Sequence, residues 1–351
     1  MLSFASLERS IGSVPGSAVM RLRRIDTGRG REELYRNQLP TLLTELAHRA
    51  RVDSITASSA LEGVVVPDRV RAAQIIEGKV PVLRNRSEQE FAGYRAALDY
   101  LMTQTWQPLN IGLLLHLHGL LLQDTKGHGG AFKSSDNLVV DRSGDGSIEV
   151  RFVPVAASRT EFFTAELVSR FNVAVASGAH HPVLLIGLFA LDLLTIHPFD
   201  DGNGRVARAL TNALLADADY GVGRFVSLEQ IIANSADDYY DSLLASTHGW
   251  HEESNDPWPW LSYFLGTVAT AYDTFEVRAV SDHSSGTKQE RVRQFVLNEA
   301  GAHFRIADIR AALPGISDQT IRLAMDSMKA EQLITPECLG RRATWGVRPK
   351  D

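Results

Sequence analysis

Cysteine is almost missing from this chain: Cys338 is the single cysteine in 351 residues. That excludes an internal disulfide framework and a cysteine-built zinc cluster, and it suits a reducing compartment, so a cytoplasmic location is expected. Long apolar runs are scarce as well. The most apolar one, PVLLIGLFALDLLTI, covers residues 182–196 and carries Asp192, which is too short and too charged for a membrane span and better suited to a buried helix. The opening MLSFASLERSIGSV has no basic stretch followed by an apolar block, so no secretory leader is expected. Neither a GxxxxGK[ST] loop nor a strand-borne GxGxxG occurs, and His180 and His181 lack an HExxH-type spacing, which removes P-loop, Rossmann and common zinc readings. Excess positive charge is missing too: the formal net charge of −6 makes no global case for nucleic acid. There are no repeats and no low-complexity tract.

What is present is an ordinary globular composition, 44% apolar and 22% charged, in a chain long enough for one large domain and a smaller one. Residues 1–35 are polar and rich in Gly, Ser and Arg, and are expected to form a surface extension that is partly loose. Helical spacing follows over 36–61, with Leu43, Leu46, Val52 and Ile55 near one face and Gly63 as the stop. Ser87 and Glu90 have the spacing of a capping box ahead of an amphipathic helix. His116 and His118 fall in the apolar helix 110–123, where satisfied core histidines are expected. Residues 125–154 then change texture, with glycines, short β-type runs and a DGS turn that predict a hairpin. Helices are predicted at about 160–178, 182–195, 203–217, 228–245 and 257–278. VSDHSSGTKQE reads as a linker, placed at 281–288, before a final module at 289–351 whose helices at 289–299, 305–312 and 317–331 and closing hairpin follow a winged-helix pattern.

The densest chemistry lies in HPFDDGNGRVARAL, residues 197–210. His197 stands at the end of an apolar helix, and Pro198 prevents that helix from continuing. Phe199 can anchor the loop inward. Gly202 and Gly204 around Asn203 permit positive φ and expose backbone N–H groups. A new helix begins there, presenting free N–H donors and a positive dipole end, with Arg205 and Arg208 three residues apart on one side. Spacing alone leaves three readings open: a metal site, a tight turn, or a phosphate cradle. The last is favoured by the glycines and paired arginines, with a carboxylate useful beside phosphate only through a divalent cation.

This stretch resembles the signature of the Fic-domain family at His197, Phe199, Asp201, Gly202, Asn203, Gly204, Arg205 and Arg208, and the order of helices over about 35–280, together with YYDSL from Tyr239 to Leu243, is similar to a Fic core. The resemblance implies a mainly α fold: a Fic-type helical bundle at 36–280 with a β-hairpin flap at about 125–154, plus the C-terminal winged helix. It implies transfer of AMP from ATP to a Ser, Thr or Tyr hydroxyl of a protein. His197 would be the general base, Asp201 the Mg²⁺ ligand, and Asn203 with the Gly202 and Gly204 backbone the α-phosphate site. Arg205 and Arg208 would take the β- and γ-phosphates, and Tyr239 and Tyr240 would join the nucleotide site. Many relatives have Phe-Arg where this chain has Phe132-Lys133, so flap contacts and target choice depart from the common pattern. SSALEG, residues 58–63, fits the family's inhibitory motif in Ser58, Glu62 and Gly63. Its place before the core is similar to the subclass whose inhibitory helix, here about 48–62, precedes the Fic domain, with Glu62 on Arg208. Relatives also remove AMP or use other donors, so deadenylylation is an alternative, as is a nucleotide-sensing DNA-binding regulator. From Lys288 onward 11 Lys and Arg meet 8 Asp and Glu, a thin footprint for DNA despite Gln319, Arg322 and Lys329. Protein contact is the favoured role for that module, with self-modification and a homodimer left open.

Overall fold

The computed structural model describes residues 2–127, 129–142, 148–284, 288–298, 300–301, 303–313, 316–338 and 344–347. The DGS turn at 145–147, the centre of the expected linker, the Pro314-Gly315 turn and GRRA of the last hairpin lie outside them. The chain divides into two compact units, Met1–Glu276 and Val277–Asp351.

The first unit is a helical bundle. A 3₁₀ turn, Ser3–Ser6, leads to α1 (Leu7–Ile11), α2 (Gly16–Gln38), α3 (Pro40–Leu61), α4 (Arg69–Ile76), α5 (Arg86–Thr103) and α6 (Ile111–Leu122). The antiparallel hairpin of β1 (Val139–Arg142) and β2 (Ile148–Phe152) follows, pairing Val140 with Val150 and Arg142 with Ile148. Then come α7 (Ala157–Ser177), α8 (Pro182–Ile196), α9 (Asn203–Asp217), α10 (Leu228–Ala233), α11 (Ala236–Thr247) and α12 (Trp258–Ser284). The centre of the bundle is α8, buried around almost its whole circumference, as a run with few polar residues requires. Its one acid, Asp192, is fully buried. It accepts from the Ser3 N–H and hydroxyl, each at 2.8 Å, and from Trp250 Nε1 at 2.9 Å. Burial still raises its carboxyl to about 6.

Three expectations are corrected here. Residues 1–35 are not loose: α2 runs for 23 residues. Its polar side chains, Arg and Glu among them, favour helix, and it is seated on α12 through Arg21 to the Ser262 carbonyl (2.9 Å), Arg24 to Asp273, and Glu32 to the Tyr272 hydroxyl (3.1 Å). Gly28 lies flat on the Tyr272 ring, where a Cβ would come within 2.6 Å of ring carbons. The Ser87–Glu90 capping box does not form. Asn85 caps α5 by accepting from the Glu88 N–H at 2.9 Å, and Glu90 turns inward. The helix expected over 228–245 is two, α10 and α11, parted at Asn234 and Ser235.

The second unit holds the end of α12, which runs to Ser284 through the first half of the expected linker, and then α13 (Lys288–Asn298), β3 (His303–Phe304), α14 (Ile306–Ala312), α15 (Asp318–Ala330), β4 (Ile334–Cys338) and β5 (Thr344–Val347). Its strands pair antiparallel in the order β3-β5-β4. The two-residue β3 has no counterpart in the sequence reading. Val292, Val296, Phe304, Ile309, Ile321, Met325 and Met328 make its core, with Trp345 partly buried against them.

Candidate active site

His197 caps the C-terminus of α8 in the left-handed region, φ 52° and ψ 63°, with its N–H donating to the Leu193 carbonyl at 3.0 Å. Few non-glycine residues adopt this conformation, and it turns the imidazole off the helix axis. Nδ1 lies 3.2 Å from the Leu194 carbonyl. A carbonyl only accepts, so Nδ1 carries the proton and Nε2 keeps a free lone pair. Burial lowers the imidazole to about 4, the Leu194 bond opposing this and the charge of Lys133 adding to it. His197 is therefore neutral near pH 7, the form a general base needs.

The loop after His197 is held from inside. Phe199 is fully buried, stacked on His118 at 4.0 Å between ring centres and on Phe132 at 6.3 Å. Asn203 clasps the Phe199 backbone from both ends: its Oδ1 accepts the Phe199 N–H at 2.9 Å and its Nδ2 donates to the Phe199 carbonyl at 2.8 Å. Its carboxamide thus shapes the loop, leaving a second amide hydrogen for other use. Gly202, at φ 80°, is the N-cap of α9, so the first N–H groups of that helix point into the loop as anion donors.

Asp201 stands at the rim. Its Oδ1 accepts from the Gly202 N–H at 2.6 Å and from Arg205 at 3.3 Å, and its Oδ2 from Arg86 at 2.8 Å. Arg205 is not an open fork. It is 1% exposed and donates to the buried Glu90 at 2.5 Å, so its charge acts from beneath the loop, fixing Asp201. Among the described residues no group of three or more His, Cys, Asp or Glu is placed to cage an ion.

Arg208 is buried and already engaged. Its Nε donates to the Ser58 hydroxyl at 2.9 Å, and one terminal nitrogen donates to the Ser58 carbonyl at 3.0 Å and to Glu62 Oε1 at 2.7 Å. Neighbouring Glu62, Tyr239 and Tyr94 favour its charge against the cost of burial and raise it further above its ordinary value. Glu62 is the C-cap of α3. Gly63 follows at φ 72°, and the Val64 N–H returns to the Ser59 carbonyl at 2.9 Å, ending the helix abruptly. Glu62 reaches α9 because Gly204 has no side chain: a Cβ there would lie 2.2 Å from Glu62 Oε1. Tyr240 donates to the Leu61 carbonyl at 3.2 Å. Tyr239 is buried beside Arg208, its hydroxyl pushed up to about 12 mainly by burial. The residues given catalytic, nucleotide-binding, metal or inhibitory roles in the sequence thus gather at the junction of α3, α8, α9 and α11.

Four further residues have roles that the sequence did not show, although Glu90 and Lys133 were noted there for other reasons. Glu90 and Arg86 are a helical i, i+4 pair whose spacing gave a signal, though not its long-range destination. Glu229 is wholly buried and accepts from Ser54 (2.7 Å), Tyr94 (3.0 Å), Asn212 (2.8 Å) and Ser227 (3.2 Å), tying α3 to α5, α9 and α10. Lys133, in the segment leading into β1, is 3% exposed and joins the His197 loop.

Residues 108–215 match the model of the Fic/DOC family. Over 207 residues, 55% of this chain and 42% of the relative, the chain is 29% identical to "Protein adenylyltransferase Fic" of Nematostella vectensis. Over 123 residues, 35% of this chain and 3% of the relative, it is 30% identical to "Protein adenylyltransferase and cysteine protease IbpA" of Histophilus somni (strain 2336). The chain thus spans less than half the length of either. The fold is similar to the crystal structure of a Fic family protein from Desulfovibrio desulfuricans G20, with a TM-score of 0.68 at 22% identity, covering 97% of this chain and 98% of that one. The loop from His197 to Arg208 falls inside the segment 108–215 that matches the Fic/DOC family.

Proposed function

We propose that the chain is a protein adenylyltransferase that moves AMP from ATP to a protein hydroxyl and is held off by its own Glu62. The observation that carries the restraint is the Arg208–Glu62 ion pair at 2.7 Å, closed on its other side by Ser58. In the reaction, the target oxygen bonds to the α-phosphorus while the bond to the β-phosphate bridge oxygen breaks, and pyrophosphate leaves. Nε2 of His197 takes the hydroxyl proton, and the N–H groups opening α9 receive the charge that develops on the α-phosphate. Arg208, once released by Glu62, would hold the γ-phosphate.

Mg²⁺ fits this site through Asp201. The ion commonly takes one or two carboxylates and completes its shell with phosphate oxygens and water. A single rim carboxylate, 44% exposed, meets that need if Arg86 swings away from Oδ2. Bound there, the ion would offset phosphate charge.

The test is incubation with labelled ATP and a cell lysate of wild-type, Glu62→Gly and Glu62→Gly/His197→Ala proteins. Strong labelling by the single variant alone is expected. No gain over wild type would refute restraint by Glu62, and labelling by the double variant would refute His197 as base.

A further inference from the structure

The root of the hairpin is fastened to the catalytic loop at several points. The Lys133 backbone N–H donates to the Pro198 carbonyl at 2.9 Å. Its buried ammonium donates to the Ile196 carbonyl at 3.3 Å and to Asn137 Oδ1 at 2.8 Å. Asn137 Nδ2 donates in turn to the Phe199 carbonyl at 3.1 Å. One residue before the imidazole and two after it, the backbone oxygens are thus taken by two side chains of the same short segment. His118 lends a further tie, its Nδ1 accepting the Gly130 N–H at 3.2 Å while its ring stacks on Phe199.

We propose that Lys133, with Asn137, is the positioning residue for His197: the pair clamps the carbonyls on both sides of it and fixes the left-handed turn that presents Nε2. A buried ammonium without a carboxylate partner is expensive, and burial indeed lowers Lys133 to about 8, with Asp136 and Asp200 opposing from a distance. A neutral side chain would fill this space without that cost. What a cation supplies is three donors at the carboxyl end of α8, where helix carbonyls are unsatisfied and the dipole favours positive charge. Its charge also adds to the burial that lowers the neighbouring imidazole. The target-facing hairpin and the base are then one mechanical piece, so a protein seated on the hairpin is registered directly against Nε2.

The use made of the base rests on the adenylyl-transfer reading; the clamp itself does not. The experiment follows the His197 ring by NMR in the full chain labelled at histidine, assigned with His197→Ala, and measures kcat and KM for ATP in the Glu62→Gly background. The groups facing His197 are Lys133 from the hairpin root, Glu62 from α3, Asp201 from its own loop and the Leu194 carbonyl from α8. Lys133→Met is expected to raise the His197 midpoint by about half a pH unit or more. It should also lower kcat about tenfold or more with KM for ATP little changed, and Lys133→Arg should restore both. Asn137→Ala, which removes the second arm and keeps the charge, should lower kcat without that midpoint shift, and it carries the test if Lys133→Met does not fold. Wild-type kcat and ring signals in both Lys133→Met and Asn137→Ala would overturn the proposal, as would a folded Lys133→Arg as slow as Lys133→Met. If no variant transfers AMP, the ring titration still decides the clamp.

Discussion

Replacing Glu62 by Gly should tighten ATP binding while leaving ADP almost untouched. Glu62 occupies the terminal nitrogen of Arg208 that would meet a γ-phosphate, whereas the N–H groups opening α9 remain open to the inner phosphates. Freely exposed ion pairs contribute at most about 1 kcal/mol, and breaking fully buried ones costs about 3–5 kcal/mol. Here the arginine side chain is 5% exposed and the glutamate 28%, an intermediate case. A value of about 1–2 kcal/mol converts to roughly 5- to 30-fold in ATP affinity. Calorimetric titration of ATP and ADP into both proteins, with the His197→Ala change to prevent turnover, gives the comparison directly. Equal shifts for the two nucleotides, or none for ATP, would refute the placement of Glu62 in the γ-phosphate position.

The activity of the Glu62→Gly protein should persist well below pH 6, because the imidazole is held near 4; an acid limb at the ordinary histidine midpoint of about 6.5 in the rate profile would contradict this. Glu90→Gln leaves the buried Arg205 with only the more distant, partly exposed Asp201 as countercharge, so a loss of about 3 kcal/mol is expected in denaturant unfolding, and a change below about 0.5 kcal/mol would remove Glu90 as the anchor. Asp192, raised to about 6 in the folded chain, binds a proton there that the unfolded chain releases nearer pH 4. Its contribution is therefore fully present below about pH 4 and is lost as pH rises to about 6. Melting temperatures compared across that window should show the dependence flattened in Asp192→Asn, and identical slopes in the two proteins would refute it.

The layout of His197–Arg208 was legible because it is contiguous: a helix end, glycines and a new helix start follow one another in sequence. Ser58 and Glu62 were legible through their motif, although what they touch was not. The missing part is long-range. Nothing local distinguishes Glu90, which completes a plausible capping box on paper, from a surface acid, and only the fold brings Arg205 over it. Glu229 and Lys133 have the same character, with partners up to 175 residues away in one case and 63 in the other. The N-terminal helix was misread for a different reason. Its polarity suggests looseness, whereas straight-chain polar residues favour helix once one side finds partners, as Arg24 and Arg31 do on α12.

Glu62 arrives at the site as the C-cap of the 22-residue α3, and its carboxylate lies over Gly204 in the first turn of α9 while it pairs with Arg208 in the second. The negative pole of α3 is thereby set against the positive pole of α9, so the nucleotide competes with the polarity of a whole helix as well as one carboxylate. Neutralising Glu62 to Gln would leave that opposing field and the bulk of the helix end in place. Withdrawal of the terminal turn would remove these as well, a movement opposed by the Tyr240 bond to Leu61 and, about two turns back, by Ser54 on Glu229.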